Sequence, residues 1–232
     1  LVLNNPCFNF FKISQYKMKI NQYVIFFFLI CSSVFCQTID GNKISQIYEV
    51  RNSNAEEIFS KIHFALCLIY QNPDEVIKYK DDKTMRIVVK AMALVPVLDA
   101  YKLMNPSNTE LTDYVDYNHN YTAVIEVKDE KYRIKLTYQN GKYSDSQLTE
   151  YKLPFPAKMD FETSDLEEII QKARLEMNQD YYSITSRRKK EIYIQSQPRV
   201  LKEYQQTLID YATIYFQSIY KEVLSDNDQD NW

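Results

Sequence analysis

Glycine is almost absent from this sequence. The 232 residues include two glycines, Gly41 and Gly141. Phosphate-binding loops, dinucleotide-binding fingerprints and the nucleophile elbow of hydrolases all need glycine, because the backbone must approach a ligand closely or take a strained turn. The scarcity of glycine therefore excludes the common kinds of nucleotide chemistry.

Cysteine is also scarce, and Cys31 and Cys36, two of the four cysteines, lie in the most apolar stretch of the chain. The segment Met18–Cys36 has the order of a secretory signal: a basic head, a short apolar middle and a small-residue exit. Its apolar run is shorter than the roughly 20 residues that a membrane-spanning helix needs, so a retained anchor is the weaker interpretation. Lipid attachment is not predicted, because bulky residues precede both cysteines.

We therefore predict cleavage before Gln37 and a secreted or periplasmic mature chain. Residues 1–17 are interpreted as upstream sequence translated from a misplaced start. Cleavage leaves Cys67 as the one cysteine of the mature chain, so no disulfide can form within it. Cleavage also removes three lysines and no acids, which changes the net charge from −3 to −6. A chain this acidic argues against nucleic acid as a partner.

Histidine occurs twice, as His63 and His119. His63 has no acid or second thiol at a useful spacing, so it is interpreted as structural. His119 follows Asp113 and Asp116 in a polar run, and an enzyme with an unfamiliar Asp/His loop site there is one alternative function. The same run could hold a cation, but residues of these types more often form solvated turns. We predict no catalytic residue, metal or cofactor.

Two charged segments lie near the C-terminus. The tail spaces Asp226, Asp228 and Asp230 like the opening of a calcium loop. The glycine and the glutamate of such a loop are missing, so a frayed acidic tail is predicted. Residues Arg187–Lys190 are all basic and are predicted to form a solvated connector, with an anionic partner or a membrane surface as the alternative.

Tyrosine is the abundant residue, with 20 copies. On the predicted last helix, a set of tyrosines offers large apolar area with a polar tip, which suits a half-wet contact surface. The same residues would equally serve as core against a sheet, and that interpretation is favoured because the domain needs a cover. The candidate ligand-binding or partner-binding residues are Tyr204, Tyr211, Tyr215 and Tyr220.

The first half of the mature chain predicts a strand, a helix and then more strands. Lys43–Val50 is predicted to be a strand, and Ala55–Gln71 a helix that begins with a capping box of Asn54 and Glu57. Strands are predicted over Glu75–Lys80 and Thr84–Leu94. The range 95–118 contains two prolines and is predicted to be a long loop with one helical turn.

The segment Tyr121–Tyr138 predicts a hairpin most clearly. With Asp129 and Glu130 as a two-residue turn, Tyr121 pairs with Tyr138, Ile125 with Ile134, and Val127 with Tyr132. Every pair on that face is apolar, and on the other face Glu126 meets Arg133 and Thr122 meets Thr137. The register is therefore strongly specified, with one face on a core and one in water.

The second half predicts helices. A helix is expected from a cap at Ser164 to about Asn178. The range 181–196 is ambiguous between strand and helix. Pro198 suits a first helical position, and apolar residues then recur every three or four positions through Val223, which predicts a helix of about 27 residues.

The order of these elements and three short sequences resemble a known family. The sequences "NAEEIF", "NPDEVIKY" and "VKDEKYRIKL" are similar to domain of unknown function (DUF) family 4468, which occurs in exported proteins of Bacteroidetes. The resemblance covers about residues 44–138 and implies a fold like that of the TATA-box-binding protein, but no catalytic residues and no DNA binding. The family usually has glycine where this chain has Glu130, and often where it has Thr84 or Met85. We therefore expect a looser hairpin turn here.

We predict an α+β fold in which an antiparallel sheet grips one helix, with additional C-terminal helices. The expected divisions are residues 1–17, a signal peptide at 18–36, the sheet domain at 37–148 and a helical extension at 149–232. The predicted function is a non-enzymatic exported protein that binds a small ligand or an envelope protein, on the sheet face opposite the helix or on the aromatic side of the last helix. A homo-oligomeric envelope assembly module, paired through the last helix, is a further alternative.

Overall fold

A computed structural model of the protein describes residues 37–139, 142–143, 163–178 and 185–225. The strands are β1 Thr38–Asp40, β2 Lys43–Glu49, β3 Ile77–Asp81, β4 Arg86–Leu98, β5 Tyr114–Lys128, β6 Lys131–Tyr138 and β7 Lys142–Tyr143. The helices are α1 Ala55–Ile69, α2 Pro73–Val76, α3 Ala100–Met104, α4 Thr163–Asn178 and α5 Arg187–Leu224. The predicted α+β class is confirmed. The predicted signal segment, the residues before it and the acidic tail lie outside the described residues.

The described strands form one antiparallel sheet. Its order is β1-β2-β6-β5-β4-β3, and the short β7 pairs with β5. Side chains alternate between the two faces along each strand because the side-chain period of a strand is two. Among the described helices, none combines the length and the apolar character that crossing a bilayer requires.

The core lies on one face of the sheet, which we call the inner face. Inward side chains of β2, β4, β5 and β6 pack there against α1 and the second half of α5. Ile58, Ile62, Leu66, Leu208 and Phe216 of these helices are fully buried or nearly so. The second half of the last helix therefore shares one core with the sheet, while a smaller cluster of Met104, Ala173, Met177, Tyr193 and Ile194 joins α3, α4 and the first part of α5. The division of the chain into a sheet domain and a helical extension stays a prediction.

The predicted hairpin is present with the predicted register. Tyr121 pairs with Tyr138, Ile125 with Ile134 and Val127 with Tyr132. All of these residues are buried, whereas the intervening residues of β6 are exposed or half-buried. The alternation that specified the register in the sequence is thus the alternation between core and solvent.

The predicted long loop over residues 95–118 is wrong at both ends, whereas the helical turn predicted within it is present as α3. β4 continues to Leu98 and β5 begins at Tyr114, so the two strands form a long ribbon closed by α3. β4 contains Pro96, which lacks the N–H that a central strand needs. β3 pairs with Arg86–Val89 only, so the later part of β4 is an edge among the described strands, and proline is tolerated there.

The predicted start of the last helix at Pro198 is also wrong. α5 begins at Arg187, after the N-cap Ser186, and Pro198 lies inside it. A proline in a helix removes one backbone hydrogen bond and disturbs the preceding turn. Here the Gln197 amide donates to the carbonyl of Tyr193 over 3.1 Å, and the Ser196 hydroxyl donates to the same oxygen over 2.7 Å. The helix continues through Pro198 and is 38 residues long, or about 57 Å.

The first predicted helix is confirmed with small changes at its ends. The Asn54 side chain accepts a hydrogen bond from the backbone N–H of Glu57 over 2.9 Å, as an N-cap should. The helix ends at Ile69 rather than Gln71. The next predicted strand starts at Ile77 rather than Glu75, because Pro73–Val76 form the short helix α2.

The expectation of a looser hairpin turn is wrong. Glu130 takes a φ of 60°, so the turn keeps its two residues without glycine. Three hydrogen bonds attach this turn to the segment before α1: Glu130 N–H to the Ser53 carbonyl over 3.0 Å, Val50 N–H to the Glu130 carbonyl over 2.8 Å, and Ala55 N–H to Asp129 Oδ1 over 2.9 Å. These bonds hold the left-handed backbone in place.

The other position where the family often has glycine behaves in the same way. Met85 has a φ of 49°, and its carbonyl accepts from the Val127 N–H over 3.0 Å. Both departures from the family pattern thus keep the backbone conformation that glycine favours, at a cost in conformational energy.

Replacement of Glu130 by glycine is expected to stabilise the protein. The left-handed conformation costs a non-glycine residue roughly 1–2 kcal/mol. Glycine avoids this cost but loses more conformational entropy on folding, so we expect the free energy of unfolding to rise by about 1 kcal/mol. Urea unfolding of the mature chain would measure it. Lys135→Gly, at an exposed extended position on β6, is the control and should destabilise; a loss of stability in Glu130→Gly would contradict the strain argument.

Candidate functional site

The four candidate tyrosines of the last helix face the sheet. Tyr204 and Tyr215 are buried, and Tyr211 and Tyr220 are half-buried against the main core. They form part of the interior between α5 and the sheet, so among the described residues these rings are wholly or partly enclosed. A role for them in binding a ligand or a partner stays a prediction.

These tyrosines belong to a larger aromatic layer on the inner face. The Tyr48 ring stacks on Tyr132 and on Tyr220, with centroids 5.1 and 4.6 Å apart. The Tyr121 ring meets Tyr211 and Tyr215 edge to face at 5.9 and 6.0 Å. Offset and edge-to-face contacts are the favourable arrangements of aromatic rings. Many of the described tyrosines are therefore used in this layer of the core.

The phenol hydroxyls in the layer make specific contacts. The hydroxyls of Tyr70 and Tyr121 are 2.8 Å apart, and the Tyr138 hydroxyl donates to the Leu208 carbonyl over 2.9 Å. Burial raises the pKa of Tyr70, Tyr121 and Tyr138 well above the ordinary value. These phenols are thus protonated at neutral pH and act as structural donors.

His119 lies in the same layer and is fully buried. Its Nδ1 is 3.0 Å from the Gln139 carbonyl, which can only accept, so Nδ1 carries the proton. Nε2 is then free to accept from the Tyr204 hydroxyl at 3.4 Å. Burial lowers the pKa of His119, with the Gln139 hydrogen bond opposing, so the ring is neutral. It serves as a hydrogen-bonded member of the core.

The candidate Asp/His site is not assembled. Asp116 and His119 are three residues apart on β5, so they point to opposite faces of the sheet. Asp116 and Asp113 are exposed, whereas His119 is buried. Within the described part of the chain, no group of three or more His, Cys, Asp or Glu side chains is placed to hold a metal ion.

His63 and Cys67 lie on α1 at its half-buried flank. Burial lowers the pKa of His63, and the charge of Lys80 lowers it further. Cys67 is a free thiol. On the solvent side of the same helix, Phe64 and Leu68 are exposed.

The basic run Arg187–Lys190 forms the first turn of α5 and not a connector. The Lys190 ammonium donates to the Met177 carbonyl at the end of α4 over 2.8 Å, and the Lys189 ammonium bonds Asn105, the residue that caps α3. Cations are favourable at helix C-termini, where carbonyl groups lack partners. At least two of these residues therefore join neighbouring helix ends.

The opposite face of the sheet, which we call the outer face, is open. It consists of the outward residues of β2, β4, β5 and β6, and these are exposed or half-buried from Ile47 on β2 to Leu94 on β4. No described element packs over that range. Large apolar side chains are prominent among them: Ile47 is 57% exposed, Met92 58% and Leu94 53%.

Cations dominate the centre of the outer face. The outward Lys and Arg residues of β4, β5 and β6 are Arg86, Lys90, Lys128, Lys131, Arg133 and Lys135, and the outward acids are Asp116 and Glu126. Glu126 is bound by Arg133, whose Nε is 3.1 Å from Oε2. The hydrogen bond and charge of Arg133, with the charges of Arg86 and Lys135, lower the pKa of Glu126. The local potential is therefore positive in an acidic chain.

The cations of the outer face form a pattern that can be seen in the sequence. The sequence "KYRIKL" has a cation at every second position, and "RIVVK" has cations four positions apart. Both spacings put the cations of a strand on one face, because alternate residues of a strand share a face. The cations of separate strands could be combined into one surface only after the strand order was known.

The geometry defines a class of protein: an α+β domain whose single antiparallel sheet packs helices on one face and exposes the other. Residues 45–140 match the model of a family described as "Domain of unknown function (DUF4468) with TBP-like fold". The resemblance seen in the sequence is thus confirmed over that segment, together with the fold.

Two solved structures are similar to this chain. A DUF4468 family protein from Bacteroides ovatus ATCC 8483 is 14% identical, with a TM-score of 0.48, and the alignment covers 82% of this chain and 91% of that one. A TBP-like protein from Parabacteroides distasonis ATCC 8503 is 15% identical, with a TM-score of 0.41, over 81% of this chain and 97% of that one. Among curated proteins, none matches the sequence.

A pair of tyrosine variants tests the hydrogen bonding of the aromatic layer. The Tyr132 hydroxyl is buried and has no hydrogen-bond partner among the described residues, so Tyr132→Phe should stabilise the protein by about 1 kcal/mol. Tyr138→Phe removes a made hydrogen bond and should destabilise by a similar amount. Urea unfolding of both variants measures the difference, and equal stabilities would contradict this assignment.

Proposed function

We propose that the protein is an exported, non-catalytic binding protein that holds a protein partner on the outer face of its sheet. The observation that carries the proposal is the open face itself. Large apolar side chains and a concentration of cations lie there on rigid strands, while the aromatic layer and His119 are used in the core. Exposed apolar residues grouped with charge are typical of interaction sites.

The shape of the face favours a protein over a small molecule. A small-molecule site normally covers most of its ligand in a concave pocket. The depression on the outer face, of about 450 Å³, is partly open to solvent and is lined mainly by charged residues, among them Glu126, Lys128, Lys131 and Arg133, whereas small-molecule pockets are lined mainly by apolar side chains. An exposed surface that spans several strands and carries charged and apolar side chains suits contact with another protein.

The non-catalytic part of the proposal is supported by the placement of the titratable residues. Asp116 and His119, the candidate pair for an enzyme, face opposite sides of β5. His119 has its hydrogen bonds satisfied inside the core. A catalytic acid–base pair needs groups within reach of one reacting atom.

Export is proposed from the signal-like segment Met18–Cys36. The proposal predicts that the chain recovered from outside the cytoplasm begins at Gln37. Intact mass measurement and N-terminal sequencing of that chain would test it. A chain confined to the cytoplasm would contradict export, and an exported chain that retains Met18–Cys36 would contradict cleavage before Gln37.

The binding proposal is tested by substitutions on the outer face. Native mass spectrometry of the protein taken from its own envelope is expected to show a retained protein partner. Met92→Asp with Leu94→Asp should abolish that retention, because two charges then occupy the contact. The matched control is Leu175→Asp with Ile214→Asp, which changes two exposed apolar residues of α4 and α5.

Two results would count against this proposal. If the control variant loses the partner equally, either the contact lies on the helices or the substitutions unfold the protein. Circular dichroism distinguishes these two cases, because only the second changes the folded signal. A wild-type chain that carries no partner at all would argue against a stable binding function.

A further inference from the structure

The outer face has a cationic centre with an apolar floor. In the register of the sheet, Lys135 on β6 lies beside Val124 on β5, which lies beside Val88 on β4. The next outward row contains Arg133, Glu126 and Arg86, and the row on the other side contains Thr137, Thr122 and Lys90. We call Arg86, Lys90, Arg133 and Lys135, with Val88 and Val124 between them, the basic patch.

The dimensions of the patch follow from sheet geometry. Neighbouring strands are about 4.8 Å apart, and outward residues along one strand are about 6.8 Å apart. The cations therefore surround the two valines at distances that one short peptide segment can cover. All four cations are exposed, and both valines are half-buried.

The one acid inside the patch does not cancel its charge. Glu126 is already bonded to Arg133, whose guanidinium also lies beside Ile47 of β2 in the register. Asp81 of β3 lies beside Arg86 in the register, and its Oδ2 accepts hydrogen bonds from the Tyr79 and Thr84 hydroxyls. Lys90 and Lys135 remain as exposed cations with no acid beside them in the described strands. The other outward acids of the sheet lie at its margins, such as Glu49 at the end of β2 and Asp116 on the β4–β5 ribbon.

We infer that the partner of the outer face contributes an acidic polypeptide segment with apolar side chains between its carboxylates, and that this segment lies on the basic patch. The inference rests on the proposed function and adds the chemistry of the partner. Carboxylates complement the surrounding cations, and apolar side chains cover Val88 and Val124. A nucleic acid would match the charge but has no side chains for the apolar floor.

The test uses the mature chain and a labelled synthetic peptide. Three copies of Glu-Ser-Leu-Ser present Glu and Leu alternately on one side when extended. Fluorescence anisotropy is expected to show binding that weakens between about 50 and 500 mM NaCl, since salt screens exposed charges. The same peptide with Ser for Leu should bind at least about tenfold more weakly, because the apolar contact is lost.

Charge reversals locate the site. Lys90→Glu with Lys135→Glu should weaken binding of the Glu/Leu peptide by at least about tenfold. Lys202→Glu with Lys221→Glu makes the same change in net charge on exposed positions of α5, and should leave the affinity within about twofold. Equal loss in both double variants would overturn the site, since net charge alone would then explain the binding.

Two further outcomes would overturn the inference. Absence of peptide binding at low salt would exclude the acidic segment, and tighter binding of single-stranded DNA of equal charge would exclude a polypeptide. These failures are separable from failure of the proposed function. Retention of a natural partner that depends on Met92 and Leu94, without peptide binding at the basic patch, would leave the outer-face function standing and refute only the chemistry assigned here.

Discussion

β5 is hydrogen-bonded on both sides, to β4 and to β6, and every second residue from His119 to Val127 is buried. Because the side-chain period of a strand is two, burial of that set commits the intervening residues to the opposite face. Both neighbours must follow the same choice, since their registers are set by pairing with β5. The division of the sheet into a packed inner face and an open, basic outer face depends on this one strand.

The hairpin turn connects this sheet to the first helix. Hydrogen bonds from the turn to Val50, Ser53 and Ala55 join the end of β5 to the chain between β2 and α1. Asn54 caps α1 at that point, so the start of the helix is fixed relative to the inner face of the sheet. The left-handed backbone of Glu130 is the energetic cost of a turn that makes these contacts without glycine.

The role of the tyrosines depends on where each one lies in the fold, and their number in the sequence does not show it. Tyrosine can serve a core or an interface, because its ring is apolar and its hydroxyl is polar. Which role applies depends on the neighbours, and here the rings of Tyr48, Tyr121 and Tyr204 are enclosed by α1, α5 and the sheet. The sequence predicted two binding surfaces, the aromatic side of the last helix and the sheet face opposite the first helix. Only the second, the outer face, is open in the described structure.

Local patterns alone determined the α+β class, the helix that begins after Asn54 and the register from Tyr121 to Tyr138, because periodicity and turn chemistry act over a few residues. Tertiary structure decided the rest. Pro96 continues a strand because β3 ends earlier and leaves an edge. Pro198 lies inside a helix because the residues on both sides of it, such as Ile194 and Leu201, are buried against the rest of the fold. The basic patch likewise exists only once the order of β4, β5 and β6 brings together cations that are about 45 residues apart in the chain.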